Sequence, residues 1–323
     1  MRLCFGFALM LAFLVNAQVW SKDDNPAYTD PEKAGRDFEI QGEYAGDAAD
    51  GNRWGAQIIA DGDGKFTAIG YPGGLPGDGW SRGDDSGTVK GKWDGDEVLF
   101  EAEEFILRVK DGKVNVESFN GDPYGTLKKV ERKGDTLGKK PPAGAKVLFD
   151  GASVENLTNG KIVEGNLLGA TNVESKDKLG DHHLHIEFRT PFMPKSRGQA
   201  RGNSGVYVQG RYEVQVLDSF GLEGKDNECG GIYSISEPIV NMCLPPLAWQ
   251  TYDIDFTAAK YDGDKKVKNA RVTIKHNGVV IHDDLELPNG TPGRHPEEAG
   301  PQVLYLQDHS NPVVFRNIWV IEK

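Results

Sequence analysis

Short runs of alternating apolar and polar residues, separated by Asp-Gly pairs, limit most strongly how this chain can fold. In its first half these pairs lie within 61–64, 94–96 and 111–112. Asp-Gly supplies the positive φ angles that tight hairpin turns require, and alternation is typical of half-buried strands. Gly accounts for 41 of the 323 residues. Since no long helical period is present, we predict an all-β chain whose residues 18–132 form a small antiparallel β-meander domain.

The N-terminus has the pattern of a secretory signal peptide. Arg2 precedes an apolar run over 3–15, which is shorter than the roughly 20 residues that a membrane-spanning helix needs. Val15-Asn16-Ala17 has small residues at the spacing that a signal peptidase recognises. We therefore expect residues 1–17 to be cleaved near Ala17. The mature protein would be secreted or periplasmic, and we expect no membrane span.

Charge and composition separate the remaining chain into two parts. The 49 acidic and 37 basic side chains give a net charge of −12, which argues against a nucleic-acid partner because phosphate binding needs a basic face. A Lys-, Gly- and Pro-rich stretch over 133–144 is typical of a linker, so a second domain is expected over 145–323. Its cysteines, Cys229 and Cys243, form either a disulfide in an oxidising compartment or two buried thiols.

The second domain is predicted to be a two-sheet sandwich or jelly roll. It contains about ten short strand-like runs without a helical period. The clearest hairpin signal is Asn277-Gly278 between two alternating runs.

An unusual polar face accompanies the strand-like segment 206–216. Alternate side chains of a strand share one face, and the apolar set here is Val206, Val208, Tyr212, Val214 and Val216. The opposite set is Tyr207, Gln209, Arg211, Glu213 and Gln215. Amides, Arg and Tyr suit a sugar site, because hydroxyl groups need directional donors and acceptors. The alternative is an exposed strand with a cross-strand ion pair.

Two further groups of polar residues suggest metal binding or acid–base catalysis. His183, His185 and Glu187 share one strand face and can supply metal ligands, although a hydrated sheet face is the favoured alternative. Asp308 and His309 follow a predicted strand and can serve as an acid–base pair. The alternative for that segment is a capped turn before Pro312.

Five ordered blocks of the second domain resemble one family. They are 202–219, beginning Gly-Asn-Ser-Gly-Val-Tyr; 229–233, Cys-Gly-Gly-Ile-Tyr; 249–253, Trp-Gln-Thr-Tyr-Asp; 276–279, His-Asn-Gly-Val; and 306–319, from Leu-Gln-Asp-His to Phe-Arg-Asn-Ile-Trp. Together they resemble the 3-keto-disaccharide hydrolase domain, also described as 3-keto-glucoside lyase and hydratase, over about 145–323. The segment 151–157 lacks the Trp that the family usually has there, and the meander is not covered.

The resemblance implies a concanavalin-like jelly roll whose concave sheet holds a glycoside that carries a ketone at C3. Such a ketone acidifies the C2 hydrogen, so a base can form an enolate, the anomeric substituent leaves, and water then adds. On this hypothesis Glu213 or His309 is the base, Arg211 stabilises the enolate, and Asp308 orients His309. The substrate hydroxyls are assigned to Asn203, Tyr207, Gln209 and Gln215. A divalent metal is an alternative enolate stabiliser.

Three other functions remain open at this point, and the unassigned meander gives some weight to one of them, a structural or cell-surface protein. A retaining glycosidase needs two carboxylates about 5–5.5 Å apart, and Asp218 has the wrong strand parity to partner Glu213. A non-catalytic carbohydrate-binding protein can use the same polar face.

Overall fold

The structure is a computed structural model that describes residues 25–49 and 51–323. The predicted signal peptide, residues 1–17, lies outside the described residues. Within the described part, no helix is long and apolar enough to cross a membrane. The helical segments are short: α1 is Arg36–Ile40, and single 3-10 turns lie at Pro31–Lys33, Glu164–Asn166 and Gly198–Ala200.

The first domain is a closed antiparallel β-barrel. Its strands are β1 (Gly42–Asp47), β2 (Arg53–Gly62), β3 (Lys65–Pro72), β4 (Leu75–Pro76), β5 (Gly79–Trp80), β6 (Gly87–Asp94), β7 (Glu97–Glu101), β8 (Ile106–Lys110), β9 (Lys113–Glu117) and β10 (Pro123–Val130). Strands β4 and β5 pair only with each other, and the other eight close in the order β1-β10-β9-β8-β7-β6-β3-β2. The predicted meander is therefore present, and pairing of β1 with β10 closes it.

The Asp-Gly turns connect the barrel strands as the sequence predicts. Asp63 and Gly64 have φ angles of 54° and 70°, and Asp111 and Gly112 have φ angles of 49° and 70°. A left-handed conformation at both central residues matches the twist of a two-residue hairpin. The turn chemistry therefore fixes the register of β2 with β3 and of β8 with β9.

The second domain is a sandwich of two antiparallel sheets. Its strands are β11 (Lys146–Phe149), β12 (Leu157–Thr158), β13 (Ile162–Val163), β14 (Leu167–Gly169), β15 (Val173–Leu179), β16 (His182–Arg189), β17 (Ser204–Val208), β18 (Tyr212–Val216), β19 (Gln250–Thr257), β20 (Lys260–Asp262), β21 (Lys265–Lys268), β22 (Ala270–His276), β23 (Val279–Leu287), β24 (Gln302–Leu306) and β25 (Val314–Glu322). The all-β prediction is confirmed.

The two sheets of the sandwich differ in size and share one core. The large sheet runs β13-β14-β25-β16-β19-β22-β23 with β11 beside β25, and the small sheet runs β12-β15-β24-β17-β18. Alternation puts Leu184 and Ile186 of the large sheet and Val206 and Val214 of the small sheet into this core, where they are buried. The opposite face of the small sheet is therefore the one that carries Tyr207 and Glu213.

The barrel and the sandwich pack through an apolar interface. Ile59, Ile69 and Tyr71, on the outer side of β2 and β3, belong to the same buried cluster as Phe220 of the sandwich. A Cβ atom added at Gly221 would lie 2.6 Å from Ile59 Cδ1, so the two domains are in close contact there. Their relative position is fixed by buried apolar surface as well as by the covalent link.

Both cysteines of the described chain are buried free thiols. Cys229 Sγ lies 3.2 Å from the hydroxyl of Tyr252, and Cys243 Sγ lies 3.5 Å from the carbonyl oxygen of Leu217. Of the two expectations for this pair, the structure has the thiol form.

Candidate active site on the small sheet

A hairpin builds the centre of the candidate site. The segment 206–216 is not one strand, because residues 209–211 form a turn that returns β17 onto β18. Gln209 and Gly210 have positive φ angles of 53° and 59°. The register pairs Tyr207 with Glu213 and Gly205 with Gln215. The predicted polar face is therefore made by two adjacent strands, and Gln209 and Arg211 leave it to form the turn.

Glu213 and Tyr207 form a buried hydrogen-bonded pair. The hydroxyl of Tyr207 donates to Glu213 Oε2 at 2.8 Å, and Glu213 is only 4% exposed. Burial raises the pKa of Glu213 to about 7, although the hydrogen bond from Tyr207 acts in the opposite direction. Burial, together with the neighbouring carboxylate, raises the pKa of Tyr207. The pair thus combines a carboxyl group that titrates near neutral pH with a phenol that keeps its proton.

Amide side chains extend the site along β17 and β18. Gln215 Nε2 and Asn203 Nδ2 both donate to Gln199 Oε1, at 3.0 and 3.1 Å. Gln215 also donates, at 3.4 Å, to the carbonyl oxygen of Asn227. The side-chain oxygen of the buried Asn203 has no hydrogen-bond partner. An unpaired buried acceptor is costly, and a hydroxyl donor from a ligand would satisfy it.

Strand β24 and the residue that follows it add two side chains that the sequence-based prediction missed. Tyr305 pairs with Tyr207 across the strands, with ring centroids 5.2 Å apart. Gln307 Nε2 donates to the hydroxyl of Tyr207 at 3.2 Å, while its side-chain oxygen is buried without a partner. Their alternation in 305–307 was a usable signal, but only the pairing of β24 with β17 shows that they lie beside Glu213. We call Asn203, Tyr207, Glu213, Gln215, Tyr305 and Gln307 the polar row.

Arg211 and Gln209 hold a loop in place. The guanidinium of Arg211 donates to the carbonyl oxygens of Pro296 and Gly300 at 3.1 and 2.9 Å, and to Gln209 Oε1 at 3.2 Å. Gln209 Nε2 donates to the carbonyl oxygen of Leu179 at 2.7 Å. These donors are used within the protein, so the predicted contacts of Arg211 with an enolate and of Gln209 with a hydroxyl would require those bonds to break.

The loop that Arg211 holds covers the polar row at Tyr207. This cover loop comprises residues 288–301, between β23 and β24. A Cβ atom added at Gly293 would lie 2.4 Å from the hydroxyl oxygen of Tyr207. His295 N donates to the carbonyl oxygen of Gly210, and Arg294 Nε donates to Glu174 Oε1 at 2.7 Å. The cover loop therefore limits access to Glu213.

Asp308 and His309 lie in the exposed loop after β24. Asp308 Oδ1 accepts a hydrogen bond from the backbone of Ser310 at 2.8 Å, and the Asp308 backbone donates to Asn172 Oδ1 at 3.0 Å. This is the capped-turn geometry considered above. His309 is exposed, two residues beyond Gln307. Both residues thus follow the strand that borders the polar row, but Asp308 uses its carboxylate to shape the turn.

The three candidate metal ligands lie on the other sheet. His185 and Glu187 of β16 are fully buried although they point away from the core, because residues 136–139 of the predicted linker cover them. His185 Nδ1 lies 2.8 Å from Asp253 Oδ1, and Glu187 Oε1 accepts from the Gly138 backbone at 2.6 Å. His183 Nδ1 lies 3.3 Å from Asp255. Throughout the described chain, no group of three or more His, Cys, Asp or Glu side chains is arranged to hold a metal ion.

Hydrogen bonds set the charges of this second cluster. Burial alone would lower the pKa of His185, but its bonds to Asp253 and Glu187 raise the pKa overall. Burial likewise opposes the ionised form of Glu187, yet the bonds from His185, Asn317, Arg316 and Gly138 lower its pKa to about 2. The cluster fastens residues 136–139 to the large sheet, and we call it the linker latch.

Asp218, the other carboxylate considered for catalysis, already has a partner within the protein. Asp218 Oδ2 lies 2.7 Å from Arg201 Nε, and both side chains are buried. Asp218 therefore belongs to a buried ion pair rather than to the polar row.

Comparison with known proteins places the second domain in a family. The family model described as the 3-keto-alpha-glucoside-1,2-lyase-like domain matches residues 144–321, which is more than half of the chain. A comparison with curated proteins found no match.

Solved structures from Parabacteroides distasonis ATCC 8503, each provisionally described as a glycosyl hydrolase, are similar to this chain. One is 28% identical, with a TM-score of 0.52, and the match covers 59% of this chain and 90% of that one. Two others are 15% and 20% identical, with TM-scores of 0.42 and 0.39. They cover 56% and 55% of this chain and 94% and 99% of their own. The chain belongs to the 3-keto-alpha-glucoside-1,2-lyase-like family of carbohydrate-active enzymes.

Proposed function

We propose that this protein cleaves 3-keto-glycosides by removing the C2 proton, eliminating the anomeric substituent and then adding water. The family relation supports the substrate class. The polar row, on one face of the small sheet, supports the chemistry. We further propose that the mature protein acts after export, for which the N-terminal sequence pattern is the support.

The proposal depends mainly on one observation, the raised pKa of the buried Glu213. A general base works best when its pKa lies near the operating pH, and burial raises the pKa of Glu213 to about 7. Most surface carboxyl groups are far weaker bases. Glu213 takes the C2 proton, the electron pair of that C–H bond forms the enolate, and the C1–O bond then breaks. The leaving oxygen takes up a proton, and water adds across C1 and C2.

Tyr207 is the second catalytic group in this proposal. Its hydroxyl donates to Glu213 in the present structure, and its raised pKa keeps it protonated when Glu213 is ionised. Such a donor can turn to the enolate oxygen and stabilise the charge that develops there. Arg211 is then a positioning residue, since its donors hold the cover loop.

The unpaired acceptors of the polar row suit the hydroxyl groups of a sugar. The side-chain oxygens of Asn203 and Gln307 are buried and have no partner in the protein. Asn203 directly precedes β17 and lies four positions before Tyr207, which corresponds to roughly 13 Å of extended chain, so the two side chains can contact different parts of one sugar substrate. Because Asp218 is paired with Arg201, it does not supply the second carboxylate of a retaining glycosidase.

The test compares turnover of both anomers of 4-nitrophenyl 3-keto-glucoside with turnover of the unoxidised glucosides, corrected for reaction without enzyme. We expect the wild type to act on a keto substrate only, and deuterium at C2 to slow it. Glu213→Gln keeps an acceptor for Tyr207 but is no base, so kcat should fall by roughly 10²- to 10⁴-fold.

His309→Ala separates the two candidate bases. We expect this variant to keep most of the wild-type kcat, because His309 lies outside the polar row. Full activity in Glu213→Gln would show that Glu213 is not the base. Saturable sugar binding without turnover would instead favour a carbohydrate-binding protein, and rapid cleavage of an unoxidised glucoside would favour a conventional glycosidase.

A further inference from the structure

The barrel has one packed end and one hollow end. At the packed end the interior is filled by large buried side chains, among them Tyr44, Phe66 and Phe100. At the other end the strands enclose a cavity of about 1120 Å³. Side chains usually fill the interior of an eight-stranded barrel, unless it holds a small ligand. The hollow end, which we call the cup, is therefore a candidate binding site.

Small residues create the cup. Inward positions on adjacent strands are occupied by Ala56, Ala68 and Gly70, whereas the next inward positions toward the packed end include Ile58 and Phe66. A Cβ atom added at Gly70 would lie 3.8 Å from Trp54 Cζ3 and 4.0 Å from the Gly87 carbonyl oxygen. Larger side chains would therefore fit at Gly70 without disturbing the backbone, so tight packing does not explain the Gly there.

The wall of the cup is apolar and its mouth is partly aromatic. Phe105, Leu107 and Val116 line the wall. Trp54 and Tyr124 also line the cavity, and they are 37% and 45% exposed. Ligand pockets in proteins typically measure about 300–1,000 Å³ and combine apolar walls with a few polar groups. At about 1120 Å³ the cup is slightly larger than this range, and its lining is that of a small-molecule site.

The charges around the cup select against anions. The exposed carboxylates Asp85, Glu101 and Glu103 belong to its lining. Among the described residues that line the cup the basic side chain is Lys90, and its ammonium group donates to Asp61 and Thr67. A negatively charged ligand such as a fatty acid would meet repulsion without a compensating cation.

We propose that the barrel cup binds an uncharged, largely apolar small molecule. The inference concerns the first domain alone and is independent of the proposed catalysis on the small sheet.

Two related fluorescent probes test both parts of the proposal. N-phenyl-1-naphthylamine and 8-anilinonaphthalene-1-sulfonate share an anilinonaphthalene body, but only the second carries a negative charge. We expect the neutral probe to bind the purified protein saturably at one site. The sulfonate should bind at least about tenfold more weakly because of the carboxylates. In the double variant Glu101→Lys, Glu103→Lys, the affinities of the two probes should differ less than in the wild type.

Gly70→Leu locates the site, because its side chain would occupy the cup. We expect this variant to weaken binding of the neutral probe by at least about tenfold. Gly180→Leu is the matched control, since a Cβ atom there meets nothing within 4 Å and Gly180 lies outside the barrel. Thermal melting of both variants verifies that they fold.

Loss of probe binding in folded Gly70→Leu, with retention in Gly180→Leu, supports the proposal. Unchanged binding in Gly70→Leu, or no saturable binding by the wild type, overturns the site. Equal affinity of the wild type for both probes overturns the choice of an uncharged ligand.

Discussion

Glu213 and Tyr207 fit side by side because the residue next to both of them has no side chain. A Cβ atom added at Gly205 would lie 2.5 Å from Glu213 Oε1 and 2.8 Å from Tyr207 Cε2. Gly in a strand interior often marks such a close approach. Gly205 thus allows a carboxyl group to lie against the sheet surface, where burial raises its pKa.

The first prediction concerns the pH dependence that this burial produces. Kcat/KM for a 3-keto-glucoside should rise with pH and level off above about 7, as Glu213 loses its proton. The same pKa shift affects stability. Since the folded protein holds this proton more tightly than the unfolded chain, stability is lost as pH rises from about 4.5 to about 7, by on the order of 3 kcal/mol.

Denaturant unfolding of wild type and Glu213→Gln at pH 4.5 and pH 8 measures the stability part. The variant has no carboxyl group to ionise, so it should lose less stability than the wild type between these two values. An identical loss in both proteins would show that Glu213 is not buried in its neutral form.

The segment predicted as a linker is part of the sandwich surface. Thr136 donates to Asp253, the Gly138 backbone donates to Glu187, and Asn317 donates to the Lys139 carbonyl oxygen at 2.9 Å. Residues 136–139 therefore exclude water from His185 and Glu187. The polar pattern on β16 reflects this docking, which explains why residues with the chemistry of metal ligands occur there.

Glu187→Gln tests the linker latch. The change removes the counter-charge of the half-exposed Arg316 and one of the two carboxylates that contact His185, whose bond to Asp253 remains, so we expect the unfolding free energy to fall by about 2 kcal/mol. Proteolysis within 133–144 should also become faster. Glu286→Gln is the control, since this residue of the same sheet is 56% exposed in its pair with Arg271 and should change stability little. Equal effects of the two substitutions would contradict a role for the latch.

Glu187 contributes to the stability of the folded protein with a pH dependence opposite to that of Glu213. The lowered pKa of about 2 stabilises the fold above about pH 4.5, and this contribution is lost as pH falls toward 2. Together, the two carboxyl groups favour maximal stability at mildly acidic pH.

The barrel and the sandwich share one buried apolar cluster. Ile59 and Ile69 of the barrel and Phe220 of the sandwich belong to it. A continuous core couples the stability of its parts, because separation of the domains would expose this surface to water.

We therefore expect the two domains to unfold in a single calorimetric transition. Ile59→Ala, which truncates a side chain that is 7% exposed, should lower the unfolding free energy by about 2 kcal/mol and shift the whole transition. Ile239→Ala is the control, because Ile239 is 56% exposed. Two separate transitions, or a shift of only part of the heat absorption, would show that the domains unfold independently.

The turns and strands were predictable because local chemistry dictates them. Asn277 and Gly278 have positive φ angles of 52° and 86°, as their sequence predicted, and the barrel turns at Asp63-Gly64 and Asp111-Gly112 behave alike. Alternation also assigned Tyr207 and Glu213 to the face opposite Val206 and Val214. It did not show that Gln209 and Arg211 belong to a turn, because the polar alternation continues through it.

The sequence alone determined the all-β fold, the hairpins, the core-facing side chains and the family blocks, since each depends on residues close together in the chain. The tertiary structure decided which polar groups meet. Four of these contacts join residues that are distant in sequence. They are the pairing of β1 with β10, the cover loop over Tyr207, the docking of residues 136–139 onto β16, and the position of Gln307 beside Tyr207. Such contacts depend on shape and on competition among partners, which no local pattern records.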